Sequence, residues 1–131
     1  MFQRRTRLLV SRLVIVNASI NGFYAAYLTG TATQGFAMLI FRNGTVVGID
    51  AGGVKYDGTY SDSGTGYAVK LKVSIPPNTP LVQGVTTGAE GDNSEIVFQL
   101  PVDFLSRPFI RVDAKHGPVN AKIVKLRELN E

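Results

Sequence analysis

Apolar and polar residues alternate at period two along most of this chain. The cleanest case is Tyr67–Ile75, where Tyr67, Val69, Leu71, Val73 and Ile75 fall on one side and Ala68, Lys70, Lys72 and Ser74 on the other. That is the signature of a strand buried on one face only. Ser94–Leu100 repeats it, with Ile96, Phe98 and Leu100 inward. Phe109–Lys115 sets Ile110, Val112 and Ala114 against Arg111, Asp113 and Lys115. Ser19–Leu28 reads as the first strand, with Ile20, Tyr24 and Leu28 on one face and Phe23 and Tyr27 on the other. The last strand runs from Pro118 to about Leu126, and the polar ending RELNE is expected to fray.

Glycine-centred turns join these runs. Asn43-Gly44 is a strong hairpin signal, because a type I′ turn needs positive φ at both central residues. Closed there, the hairpin sets Ile40 opposite Val47, Met38 opposite Ile49 and Phe36 opposite Ala51, a wholly apolar face expected to point inward. Gly52-Gly53 reads as a second two-residue turn. It would place Ile49 opposite Tyr56 and Val47 opposite Gly58. Asp50 would then meet Lys55 across the strands, worth about 0.2–1 kcal/mol. His116-Gly117 reads as another turn, with Ala114 facing Val119, Val112 facing Ala121 and Ile110 facing Ile123. Ser61–Gly66 is a polar turn, and Val102–Ser106 reads as a single helical turn with Phe104 and Leu105 packed down.

About eight short strands joined mostly by hairpins, with at most one short helical turn, predict an all-β fold. The expected architecture is a small antiparallel up-and-down meander barrel. A barrel of that size is filled by side chains or holds one small ligand. The segment from Pro76 to Asn93 is the longest irregular region. A plain surface crossing is the expectation for it, and folding over a barrel mouth is the alternative.

The chain has 131 residues and a net charge of +4, with Arg4, Arg5, Arg7 and Arg12 in the first 17 positions. Residues 18–131 therefore carry ten basic and ten acidic residues and form a neutral single barrel domain. Residues 1–17 read as a flexible basic extension. A secretory signal is the competing reading for them, but Ser11 and Arg12 break the apolar run, which is also too short to span a membrane. The charge sits on an arm rather than on one folded face, so no direct nucleic-acid binding is expected.

Catalytic and metal-binding patterns are missing. There is no cysteine and a single histidine, His116, in a predicted turn. No metal, no cofactor and no enzymatic activity are expected. Two sets of residues remain of interest. Tyr24, Tyr56, Tyr60 and Tyr67 recur at inward positions. They are expected to fill the core and bond to backbone carbonyls, and alternatively to line a pocket for a small apolar ligand. Leu39, Phe41 and Val46, with Phe109 opposite Val124, are expected on the outside as an apolar patch suited to a protein partner or a homodimer.

Several motifs in the first half of the domain share one further pattern. Asn21-Gly22-Phe23-Tyr24, a Gly35-led apolar strand, Asn43-Gly44, Gly48 with Asp50, and Tyr56-x-Gly58-x-Tyr60 resemble the opening of the GrlR-type proteins, small bacterial negative regulators of type III secretion loci. The resemblance implies a lipocalin-like, calycin-type barrel that is dimeric, cytoplasmic and not membrane-bound. It also implies that the protein acts by binding a transcriptional activator. The turn at which family members are expected to be acidic is here Ser61-Asp62-Ser63-Gly64, with a single acid.

Overall fold

The structure, a computed structural model, describes residues 19–130. The basic extension expected over 1–17, and the signal reading weighed against it, lie outside the described residues. Eight strands follow in order: β1 (Gly22–Thr29), β2 (Gln34–Arg42), β3 (Thr45–Asp50), β4 (Lys55–Asp62), β5 (Gly66–Ile75), β6 (Asp92–Pro101), β7 (Ile110–Ala114) and β8 (Gly117–Glu128). A 3-10 turn at Phe104–Ser106 lies between β6 and β7. Its Phe104 is buried as expected, whereas Leu105 is exposed.

All pairings are antiparallel, and the strands form one sheet in the order β6-β5-β4-β3-β2-β1-β8-β7. The end strands β6 and β7 run side by side without a ladder between them. The meander is therefore a nearly closed barrel. Among the described residues no helix is long and apolar enough to cross a membrane.

Asn43-Gly44 makes the expected tight turn, with φ values of 48° and 85°. The expected register holds, with Met38 opposite Ile49 and Ile40 opposite Val47. The face is the reverse of the expectation. Phe36, Met38, Ile40, Val47 and Ile49 point outward, and Ile49 is 49% exposed. Leu39, Phe41 and Val46, expected on the outside, point inward, and Phe41 and Val46 are 2% and 1% exposed. The neighbouring strands decide this. A continuous cross-strand row runs Val73–Tyr56–Gly48–Leu39–Tyr24, so the inward side of β5 fixes the inward side of β2 and β3.

The next connection explains the inversion. Ile49 pairs with Lys55 and Gly48 with Tyr56, one residue away from a two-residue turn at Gly52-Gly53. The Asp50 side chain shapes this longer loop: its Oδ1 accepts the Gly52 and Val54 N–H groups at 2.8 and 3.0 Å. One extra residue swaps the faces of the following strand. Tyr56 and Tyr60 thereby join Phe41 and Val46 inside, and Lys55 lies beside Ile49 rather than Asp50.

The β7–β8 turn closes two residues earlier along β8 than expected, with Ala114 opposite Gly117 and Ile110 opposite Ala121. An even shift keeps the faces, so Ile110, Val112, Ala121 and Ile123 are buried. Val124 lies opposite Ala25 of β1, so it does not pair with Phe109, which is exposed ahead of β7. β8 continues to Glu128, and the Leu129 N–H bonds Asn21 O at 3.3 Å, so the expected frayed tail is ordered through that point.

Candidate functional site

The two ends of the barrel differ in chemistry. The end carrying the Asn43-Gly44 turn is filled by rings. Tyr24 meets Phe41 edge-on with centroids 5.1 Å apart, Phe41 meets Tyr60 at 5.3 Å, and Tyr60 meets Tyr67 at 6.1 Å. Phe104 from the 3-10 turn lies 6.1 Å from Tyr24 and closes the stack from below. Such ring pairs add to the burial of their own surface.

The hydroxyls of Tyr24 and Tyr60 are satisfied internally. Tyr24 OH donates to Ile20 O at 2.6 Å, as expected for a core tyrosine, and Tyr60 OH donates to Asn21 Oδ1 at 3.0 Å. Asn21 also accepts the Asn43 N–H at 2.9 Å and donates to Asn43 Oδ1 at 3.1 Å. This buried amide ties the β2–β3 turn to the segment entering β1. Burial, reinforced by the charge of Glu128, pushes the Tyr24 hydroxyl pKa well above its usual value. Burial, then Asp62, raises that of Tyr67. Both remain neutral at physiological pH.

The opposite end is hollow. A cavity of about 380 Å³ opens there. Its walls are apolar and come mainly from β1, β2, β5, β6, β7 and β8, with Ala26, Leu39, Leu71, Phe98 and Val112 among them. Small side chains make the space: Ala26 and Ala37 stand side by side on β1 and β2, and both point into it. Of the four tyrosines considered as ligand contacts, only Tyr56 reaches the cavity. Tyr24, Tyr60 and Tyr67 belong to the packed end, and the structure does not bring the four together around one pocket.

The long segment after β5 lies at the mouth of this cavity. Leu81 and Val82 line it, so the segment is not a plain surface crossing. It folds as a small hairpin: Leu81 N–H donates to Val85 O at 2.8 Å, and Pro80 bridges Thr86. The buried Thr79 and Thr87 brace its base, since Thr87 Oγ1 donates to Pro76 O at 2.7 Å and accepts the Thr79 N–H at 2.9 Å. Val82 O accepts the N–H groups of Ala32 and Thr33 at 3.0 and 3.1 Å. Glycine at position 30 permits this approach, because a Cβ there would lie 2.3 Å from Val82 O. On the other rim Gln83 Nε2 donates to Gly117 O at 3.4 Å.

Polar groups gather at two places on the mouth. On the β3–β4 side Asp50 accepts three donors: besides its two backbone donors, its Oδ2 accepts the Tyr56 hydroxyl at 3.2 Å. Burial and then the Asp50 charge push the Tyr56 pKa up, so the hydroxyl stays a donor. On the β6–β7 side Asp92 Oδ1 accepts Lys115 Nζ at 2.9 Å, and Asp92 Oδ2 meets His116 Nε2 at 2.7 Å. An ionised carboxylate only accepts, so this ring nitrogen carries the hydrogen. Lys115 and then His116 hold the Asp92 carboxyl down to about 2. These side chains bridge the strands that share no ladder, and they do so at the cavity rim.

Sequence reasoning took His116 as a lone turn histidine and did not join it to Asp92 and Lys115, because their meeting links residues more than twenty positions apart across the seam. It also passed over the outer apolar grid. Phe23, Ile40 and Val47 form one cross-strand row, and Ala25, Met38 and Ile49 the next. Val124 continues the second row onto β8, and Tyr27 and Phe36 add a third, with centroids 5.4 Å apart. Among the described residues no three His, Cys, Asp or Glu side chains come together as a metal site would need. In comparisons with known proteins no family model matches the chain, and no curated protein or solved structure matches it either.

Proposed function

We propose that this protein is a non-enzymatic binding protein that carries or senses a small apolar ligand held inside the barrel. The observation that carries this reading is the cavity of about 380 Å³ at the loop end. Its size falls in the range of small-molecule sites, and its walls are apolar with a few polar groups confined to the rim. The packed ring cluster below supplies a rigid floor, and the 76–91 hairpin supplies a cover. Native mass spectrometry of the purified protein tests the reading. A retained small molecule, or uptake of added decanol at one per chain, supports it. A chain that takes up no apolar molecule overturns it.

The outer grid favours a second activity, self-association. It covers about four strands at ~4.8 Å spacing and about five residues at ~3.3 Å rise, roughly 320 Å² of sheet. A stable dimer buries about 800 Å² per partner, so the grid suits the apolar centre of such an interface inside a polar rim. Its first row ends in Arg127 on β8 and Asp57 on β4. A two-fold axis along the strands sets Arg127 of one copy against the partner's Asp57 twice over. The resemblance to GrlR-type regulators supports reading that dimer as a cytoplasmic regulatory module that binds a transcriptional activator. Light scattering with Ile49→Glu tests the dimer: wild type at twice the chain mass and the variant at one supports it, and a monomeric wild type removes it. For the regulatory role, a gene lying beside a secretion locus and an activator gene is the supporting outcome.

A further inference from the structure

We infer that the preferred ligand is an anionic amphiphile, with an apolar tail in the barrel and a carboxylate-type head at the β6–β7 side of the mouth. This inference rests on the cavity reading above and adds the chemistry of the head.

The two sides of the rim differ in the hydrogen-bonding capacity they have left. On the β3–β4 side Asp50 already accepts three donors, and the Tyr56 hydroxyl is committed to it. That side has little left for a ligand. On the seam side Lys115 Nζ makes a single bond, to Asp92, and an ammonium has further hydrogens to donate. Ser94 lines the cavity on the seam strand β6, two residues after Asp92, and its hydroxyl has no hydrogen-bond partner among the described residues. His116 uses Nε2 on Asp92, and its Nδ1 has no partner among the described residues. On the seam side the free capacity is thus a cation and a hydroxyl donor. Donors at the end of an apolar hollow select an acceptor-rich head, and an ionised acceptor forms the stronger bonds.

Asp92 does not oppose this. Both of its oxygens are engaged by Lys115 and His116, so its charge is offset locally and it holds the two donors at the rim. The volume sets the tail. At about 30 Å³ per non-hydrogen atom the cavity takes roughly a dozen such atoms, which matches a medium-chain fatty acid.

Isothermal titration calorimetry of the 131-residue chain with decanoate, decanol and decylamine separates tail from head. The expected order is decanoate first, decanol roughly tenfold weaker, and decylamine weakest. Lys115→Met should erase the advantage of decanoate over decanol while leaving decanol affinity within about twofold. Ser94→Ala should reduce it severalfold and melt as wild type does; Lys115→Met also breaks the ion pair with Asp92, so it is read by the decanoate-to-decanol ratio within the variant rather than by its melting point. If decanol binds as tightly as decanoate, or the Lys115→Met ratio matches wild type, the head assignment fails while the cavity reading stands. If none of the three binds, both fail.

Discussion

Replacing Ala26 by leucine asks whether the loop end of the barrel is hollow or filled. Ala26 sits on β1 between Ala37 and Ile123, is buried, and points into the cavity. Leucine adds about three carbon groups, and at about 0.8 kcal/mol each their burial contributes about 2.4 kcal/mol. Ordering the side chain removes about 0.5–1 kcal/mol of that. The net expectation is a stabilisation of about 1.5 kcal/mol. In a core that is already filled, the same change costs about 1–3 kcal/mol through displaced neighbours. The two cases differ in sign, so the test does not depend on the accuracy of either magnitude. Urea unfolding followed by circular dichroism reads it directly. With a slope of about 2 kcal/mol/M, the midpoint rises by about 0.7 M while the slope stays unchanged. The added atoms also take up roughly 90 Å³ at about 30 Å³ each, about a quarter of the space, so decanol binds more weakly to the variant. A midpoint that falls refutes the hollow interior.

Asn21→Ala removes the acceptor of the Asn43 N–H and the Tyr60 hydroxyl, and should lower stability by about 2 kcal/mol; an unchanged urea midpoint would contradict the role given to that amide. Gly30→Ala drives a Cβ toward Val82 O, so amide exchange at Ala32 and Thr33 should speed up while the strand cores stay protected; protection equal to wild type at both amides would show that the cover is not seated there. Asp92 has its carboxyl lowered in the folded state by Lys115 and His116, so its contribution is fully present above about pH 4 and is lost as pH falls through about 2. The stability difference between wild type and Asp92→Asn should shrink over that window, and a difference independent of pH would sink the seam bridge.

The architecture was legible because turn chemistry and period-two alternation agree over most of the chain. β5 carries a lysine at each of two outward positions, Lys70 and Lys72, and that contrast fixes its face without ambiguity. β2 and β3 offer no such contrast. Phe36, Met38 and Ile40 on one side compete with Ala37, Leu39 and Phe41 on the other, and the larger set ended up outside. Hydrophobicity alone cannot choose between two apolar faces. The choice came from β4 and β5, transmitted through the ladders, and from one extra residue in the loop that Asp50 organises.

The candidate site was less legible for a related reason. The inward tyrosines were correctly placed inside the barrel, but along its axis three of them occupy the filled end and one the hollow end. Position along the axis depends on strand stagger, which side-chain alternation does not encode. The seam bridge of Asp92, Lys115 and His116 depends on which strands end the sheet, and no local pattern reports that.

The most direct measurement is a crystal structure of the protein under xenon pressure, since xenon settles in apolar voids large enough to hold it. The account predicts a xenon peak inside the barrel among Ala26, Leu39, Phe98 and Val112, and none among Tyr24, Phe41 and Tyr60. A barrel that takes no xenon at the loop end, with those walls collapsed against one another, would contradict it.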